Sequence, residues 1–127
     1  MKTLTLVLSL VFTVTLSFSS YADWVKTGKS VHGDTFYVDF EKIRKKDEYV
    51  YWWDLVNYLK PDQTGVLSVE VHHQGDCNLL RYKNLEFILH KKPMGVGTGE
   101  RFIPSNKWHD VPRHSTAETV IKKVCNH

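Results

Sequence analysis

The fold class of this chain is indicated by residues 49–58, whose sequence is Tyr49-Val50-Tyr51-Trp52-Trp53-Asp54-Leu55-Val56-Asn57-Tyr58. β-branched and aromatic side chains dominate this stretch, and such side chains favour a packed, pleated strand. Successive residues of a strand point to opposite faces. This gives two groups, with Tyr49, Tyr51, Trp53 and Leu55 on one face and Val50, Trp52, Val56 and Tyr58 on the other. Because both groups are apolar, we predict a central strand that is covered on two sides.

Shorter segments with strand character lie on both sides of this central segment. Turn residues separate them, such as His32-Gly33-Asp34 and residues 60–65. Within residues 79–89 the apolar positions change phase, which predicts a one-residue β-bulge near Asn84. In the basic stretch 40–46 we expect one helical turn around Ile43. The candidate strands are residues 24–29, 35–40, 66–73, 79–89 and 100–103, with a break at Gln74-Gly75-Asp76.

The last residues of the chain have the pattern of a short helix. Ser115 followed by Glu118 is a capping box, in which each side chain satisfies a free backbone N–H group of the first turn. Lys122 and Lys123 would lie in the last turn, where positive charge interacts favourably with the helix dipole. One face of this helix is apolar, because Ala117, Val120, Ile121 and Val124 recur at the spacing i, i+3, i+4, i+7.

Cys77 and Cys125 are the only two cysteines of the sequence. In an oxidising compartment such a pair indicates one disulfide bond, and the alternative is a metal site or a catalytic thiol pair. Neither residue has a C-x-x-C partner. A bridge that closes a loop of about 50 residues stabilises a fold by about 4 kcal/mol in the chain-entropy account. It would fix the terminal helix to the sheet near Cys77.

The N-terminal residues have the pattern of an export signal. Lys2 supplies a positive charge, residues 4–18 are uncharged and mainly apolar, and Ser20-Tyr21-Ala22 places small residues where signal peptidase cleaves. This apolar run is too short for a helix that spans a membrane, which needs about 20 residues. We therefore predict a cleavable signal peptide at residues 1–22 and a mature protein that is not membrane-embedded. It would be located in the periplasm, at the cell surface or outside the cell. No cysteine lies near the cleavage site, so we expect no lipid anchor.

Charge and aromatic content bear on the partner. The formal net charge of +3 is too small to indicate nucleic acid or an anionic membrane. The basic cluster Arg44-Lys45-Lys46 fits a solvated turn, and the alternative is a site for a heparin-like or acidic protein partner. Aromatic residues make up 13% of the chain, and some of them must be partly exposed in so small a domain. They either fill a thin core or anchor a partner. Our candidate partner-binding residues are Arg44, Lys45, Lys46, Trp52 and Trp108.

The seven histidines raise the question of a haem or metal site. None stands in an H-E-x-x-H or H-x-H arrangement. The adjacent His72 and His73 point to opposite faces of a strand, so they cannot chelate one ion together. We interpret the histidines as exposed strand and loop residues. The alternative is a haem or metal site at which His90, His109 and His114 converge.

The sequence contains no recognisable catalytic motif. The glycine-rich residues 95–99 precede a predicted strand, whereas a phosphate-binding loop precedes a helix. There is no G-x-S-x-G elbow, and no pair of carboxylates stands out. We therefore expect no enzymatic activity and no cofactor.

The order of these features resembles the surface-adhesin protein E-like domain of Gram-negative bacteria, over residues 23–127. The resemblance implies an α+β fold, in which an antiparallel sheet of about five to six strands carries a C-terminal helix held by a Cys77–Cys125 bridge. It also implies a secreted or surface protein that is not an enzyme. The residues that carry the resemblance are Trp24-Val25-Lys26, Gly33-Asp34-Thr35-Phe36-Tyr37-Val38-Asp39, Ile43-Arg44-Lys45-Lys46, Trp53, Asp76-Cys77, Pro93-Met94-Gly95, Gly99-Glu100, Trp108, Pro112, Ser115 and Val124-Cys125.

Three functional hypotheses are compatible with these features. The first is an exported, non-enzymatic binding domain that is adhesin-like and binds host extracellular-matrix proteins, as the family name implies. The second is a periplasmic structural or accessory protein, because the adhesin that names the family is lipid-anchored and this sequence lacks the required cysteine. The third is a haem or metal binder. A homodimer formed through an open sheet edge is compatible with each of them.

Overall fold

The computed structural model describes residues 22–127, which form one sheet of eight strands and a single α-helix. The predicted signal peptide lies outside the described residues apart from Ala22. Within residues 22–127, no helix has both the length and the hydropathy needed to cross a membrane. In chain order the elements are β1 (Trp24–Lys29), β2 (Thr35–Asp39), β3 (Arg44–Lys46), β4 (Tyr49–Asn57), β5 (Ser68–Asp76), β6 (Arg81–His90), β7 (Glu100–Phe102), β8 (His109–Asp110) and α1 (Thr116–Cys125).

Every strand pairing in this sheet is antiparallel, as predicted. The spatial order is β1-β2-β4-β5-β6-β7. β3 pairs with the first half of β4 and β2 pairs with its second half, so both lie along the same side of β4. β8 pairs with the start of β6. The central position predicted for β4 is therefore confirmed.

The sheet has more strands than the five to six that we predicted. The helical turn expected around Ile43 occurs earlier, as a 3-10 turn at Phe40–Lys42, and the basic cluster itself forms the short strand β3. All three residues of β3 are exposed, so they carry no alternation of apolar and polar side chains that would indicate a strand. β8 has only two residues, which is too short for any periodicity.

The break predicted at residues 74–76 is also wrong, because β5 continues to Asp76. Gly75 weakens the strand signal in the sequence, but its missing side chain leaves room for Trp52. A Cβ atom at Gly75 would lie 2.6 Å from Cζ3 of Trp52. The β-bulge predicted near Asn84 is confirmed, since the register shifts where His72 and His73 pair with Glu86 and Asn84.

Helix α1 covers one face of the sheet and forms the main core there. Ser115 caps the helix by accepting a hydrogen bond from the backbone N–H of Glu118 at 3.1 Å. Val120, Ile121 and Val124 are buried, and they pack against the core side chains Val38, Val50 and Trp52. The predicted disulfide between Cys77 and Cys125 is present, with 5.9 Å between the two Cα atoms. It joins the end of α1 to the turn that follows β5.

The opposite face of the sheet is covered over only part of its length. The 3-10 turn Pro93–Gly95 packs over β4 and β5, where Leu55 is fully buried. Tyr49, Tyr51 and Trp53, which share this face of β4 with Leu55, stay half-buried. The prediction that β4 is covered on both sides therefore holds only for its second half.

Candidate functional site

The uncovered half of the sheet carries a row of aromatic side chains beside a row of cations. Residues that lie directly opposite each other in an antiparallel pair place their side chains on the same face. Arg44 is paired with Tyr51, and Lys46 is paired with Tyr49. The two cations therefore project on the face that is not covered by α1, beside the tyrosines of β4.

The next pair along this face is Trp53 of β4 and His72 of β5. Their rings lie parallel, with 4.5 Å between centroids and 5° between planes. Tyr51 also contacts the imidazole, with 6.3 Å between ring centroids. The imidazole of His72 thus contacts two rings of β4, and its parallel stacking on the half-buried indole of Trp53 fixes the orientation of that indole. Burial is the main cause that lowers the pKa of His72, and Glu86 opposes it only in part.

Trp108 lies on the same face, between Tyr49 of β4 and two cations of β6. Its ring lies 5.6 Å from that of Tyr49, measured between centroids. The guanidinium carbon of Arg81 lies 4.3 Å from the centre of the indole, and the ammonium nitrogen of Lys83 lies 4.6 Å from it. Both distances are within the range of cation–π attraction. Trp108 thus anchors two cations on the face, instead of presenting a free ring.

We refer to these side chains together as the aromatic–basic face. A concave surface of ≈ 960 Å³ runs along it, lined by residues 42–46 and by Tyr51, Trp53 and His72. It is a shallow groove between the edge strand β3 and the row of aromatic side chains on β4. The members of the aromatic–basic face are Arg44, Lys46, Tyr49, Tyr51, Trp53, His72, Arg81, Lys83 and Trp108.

Within the described residues, most cations of the face form no ion pair, although Glu86 lies on the same face opposite His72. Arg81 is the exception, because its Nε donates to Oδ2 of Asp76 at 3.2 Å. Backbone N–H groups, chiefly that of Leu79, and Arg81 itself hold the pKa of the Asp76 carboxyl below its usual range. Within residues 22–127, Arg44, Lys46 and Lys83 form no ion pair with a carboxylate. They are available to an anionic partner.

The structure separates the five residues that we predicted as partner-binding. Arg44 and Lys46 lie on the aromatic–basic face, and Trp108 lies at its end. Lys45 projects the other way, and its ammonium donates to the backbone carbonyls of Cys125 at 3.3 Å and His127 at 3.0 Å. Trp52 is only 3% exposed, so its assignment to an exposed site is wrong.

Trp53 is the residue that the sequence-based selection missed. The alternation along residues 49–58 places Trp53 with Tyr49 and Tyr51, on the face opposite to Trp52. The alternation did not indicate which of the two faces the terminal helix covers, so it could not show which tryptophan stays exposed. The selection also missed His72 and Lys83, because their contribution depends on pairing between distant strands.

Two histidines are buried, against the expectation that all are exposed. His73 is 9% exposed and its Nε2 lies 2.8 Å from Oδ2 of Asp54, while the indole of Trp52 donates to the other oxygen of that carboxylate at 2.8 Å. His90 is 2% exposed and its Nε2 lies 2.8 Å from Oε2 of Glu70. Each pairing satisfies one ring nitrogen of a buried imidazole, as buried polar groups require.

The convergence considered for His90, His109 and His114 does not occur. His90 pairs with Ser68 at one end of β6, whereas His109 pairs with Tyr82 near the other end. Eight residues of strand separate the two positions by about 27 Å. Across residues 22–127, no group of three or more His, Cys, Asp or Glu side chains is arranged to hold a metal ion.

A second cavity, of ≈ 250 Å³, lies between the sheet and α1. Its lining is mainly apolar and includes Phe36, Val71, Ala117 and the buried His73. It is on the side of the sheet away from the aromatic–basic face. It reflects incomplete coverage of the sheet by a short helix.

Comparison with known proteins places this architecture in a family. The family model described as Surface-adhesin protein E matches residues 24–126. Among solved structures, crystal form II of Haemophilus influenzae protein E is similar, with a TM-score of 0.59 and 19% identity over 84% of this chain and 89% of that chain. The selenomethionine form of the same protein gives a TM-score of 0.59 and 19% identity over 84% of this chain and 88% of that one. No curated protein gives a significant sequence match. The chain belongs to the surface-adhesin protein E family.

Proposed function

We propose that this protein is an exported, non-enzymatic binding domain that attaches to the extracellular matrix of a host through the aromatic–basic face. The family is named for surface adhesion. The observation that carries the proposal is the position of Arg44 and Lys46 beside a fixed aromatic row, on the face of the sheet that α1 leaves open.

The physical basis is that binding energy concentrates at aromatic and arginine side chains that a partner can bury. Trp53 supplies apolar area whose orientation is already fixed by stacking on His72, so little conformational entropy is lost when a partner covers it. The unpaired cations beside the aromatic row attract anionic surfaces, and they make the association sensitive to salt. Matrix proteins and proteoglycans present such anionic surfaces.

Binding to a deposited layer of matrix tests this function. The purified exported protein should bind the layer saturably, and the double variant Arg44→Glu/Lys46→Glu should lose most of this binding. The matched control is Lys29→Glu/Lys123→Glu, which makes the same change in net charge at exposed positions of β1 and α1. Equal loss in both variants, or no binding by the folded wild type, would contradict the proposal.

Location is tested separately by protease treatment of intact cells, with a known periplasmic protein as marker. The proposal requires that the protein is cleaved while the marker survives. Protection of the protein, and its release together with the periplasmic marker, would favour the periplasmic accessory role. In that case the partner of the aromatic–basic face would be periplasmic.

A further inference from the structure

We infer that the ligand of the aromatic–basic face is a sulfated glycosaminoglycan chain, whose sulfate groups pair with Arg44, Lys46 and Lys83 while a sugar ring lies against Trp53. This inference rests on the proposed function and names the chemical class of its ligand.

The arrangement of the cations fits a chain with regularly repeated anions. Arg44 and Lys46 are two residues apart on β3, so they project on the same side about 6.6 Å apart along the strand. Lys83 lies across the sheet, over the ring of Trp108. The face thus offers positive charge on both sides of the aromatic row. A linear polyanion that crosses the row could reach both sides at once.

The charged groups also match sulfate in their hydrogen bonding. The guanidinium of Arg44 is planar and donates two parallel N–H bonds, which suits a tetrahedral oxyanion. The ammonium of Lys46 is a compact charge that adapts to varied geometry. Sulfate esters stay ionised at every physiological pH, so the attraction would persist wherever the host surface is met.

The aromatic residues favour a sugar over a flexible acidic peptide. The C–H groups on one side of a pyranose ring carry partial positive charge, and they are attracted to the negative face of an aromatic ring. Trp53 lines the groove directly, and its indole is held by parallel stacking on His72, which Tyr51 contacts in turn. A ring-shaped ligand gains from a flat surface that is already oriented. A flexible acidic side chain would gain only from the cations.

Strand β3 argues against a peptide that binds by strand addition. An added strand would have to pair with the outer edge of β3. This strand has only three residues, and all three have cationic side chains. Short edges with charged side chains discourage such pairing. The cations of Arg44 and Lys46 are therefore better suited to contact a ligand that lies on the sheet than one that extends it.

The test compares heparin with three other polymers, using the tryptophan fluorescence of the purified exported protein. The comparison polymers are fully desulfated heparin, poly-L-glutamate and single-stranded poly(dT). We expect saturable binding of heparin, at least about tenfold weaker binding of desulfated heparin and of polyglutamate, and loss of affinity with rising salt. Equal binding of heparin and polyglutamate would overturn the inference, because charge alone would then suffice. Tighter binding of poly(dT) would overturn it in favour of a nucleic acid.

Variants locate the site within the same assay. Arg44→Glu/Lys46→Glu should weaken heparin binding about tenfold or more, whereas the control Lys29→Glu/Lys123→Glu should weaken it by less than about threefold. Trp53→Leu should weaken heparin binding while leaving the salt dependence almost unchanged. Because this variant removes a packed ring, the shift of the Trp53 indole N–H resonance on adding a heparin hexasaccharide to the wild type provides a second readout. An unmoved resonance would overturn the inference.

The outcome also separates this inference from the proposed function. If the wild type binds the matrix layer through Arg44 and Lys46 but ignores heparin, the ligand is a matrix protein and only the inference fails. If the wild type binds neither the layer nor heparin, both fail.

Discussion

The ring of Trp53 is stacked in parallel on that of His72, with 4.5 Å between their centroids, on the face of the sheet that the helix leaves uncovered. The adjacent Trp52 points to the other face and is buried beneath α1. Because successive residues of a strand face opposite sides of the sheet, these two neighbouring tryptophans have different roles. Trp52 belongs to the core, and Trp53 belongs to the candidate binding surface.

The stacked imidazole predicts a pH dependence. Burial lowers the pKa of His72 from its ordinary 6.5, so the folded state favours the neutral ring. The stability that this neutral ring contributes is complete above the unfolded pKa, and it declines as the pH falls through 6.5 towards the lower folded value. NMR titration should give His72 a pKa below 6.5, and His72→Gln should flatten the stability profile between pH 5 and 7. A folded pKa above 6.5 would contradict this assignment.

The disulfide should contribute strongly to stability. Cys125→Ser removes the bridge that closes the chain between positions 48 residues apart, and it frees the end of α1. We expect the free energy of unfolding to fall by about 2–5 kcal/mol, measured by urea denaturation under oxidising conditions. The wild type denatured under reducing conditions serves as the control and should match the variant. An unchanged denaturation midpoint would show that the bridge is either absent in solution or contributes nothing to stability.

Close packing between Gly75 and Trp52 should make a small substitution costly. In Gly75→Ala the new Cβ would lie 2.6 Å from Cζ3 of Trp52, and overpacking of this kind costs about 1–3 kcal/mol. Gly28→Ala is the matched control in a strand, because its Cβ would meet Thr116 at an ordinary 3.6 Å. Thermal unfolding should show a lowered midpoint for the first variant only. Equal midpoints would contradict the packing described for Trp52.

Neighbouring lysines should have separable roles. Lys45 donates to the carbonyls of Cys125 and His127 at the end of α1, where a cation stabilises by about 0.3–1 kcal/mol. Lys45→Ala should therefore lower the thermal midpoint slightly and leave matrix binding unchanged. Lys46→Ala should weaken matrix binding and leave the midpoint unchanged. The reverse pattern would show that the orientation of β3 differs from the one described.

The parts of the fold that follow from local patterns could be predicted from the sequence. The alternation of β4, the capping of α1 by Ser115 and the pairing of Cys77 with Cys125 each depend on residues whose signal is strong by itself. β3 could not be predicted, because it is a strand only through its hydrogen bonds to β4. Its side chains are charged and exposed, so no burial pattern marks them.

The candidate site was harder to predict because it depends on contacts between distant strands. The basic cluster pointed to Arg44 and Lys46, but it could not show that Lys45 between them faces α1. The choice between Trp52 and Trp53 depended on which side of β4 the helix packs. The contribution of His72 depends on the register of β4 against β5. Local sequence does not determine any of these relationships.

The central claim is that a matrix ligand binds to the aromatic–basic face. The most direct test is to map which residues of the wild-type protein change their NMR shifts when such a ligand binds. Backbone and side-chain NMR shifts, recorded with and without a soluble fragment of the matrix, would report on both faces of the sheet at once. The account predicts changes at Arg44, Lys46, Trp53 and His72, with Val120 and Val124 of α1 unaffected. Changes centred on α1, with an unperturbed Trp53, would contradict it.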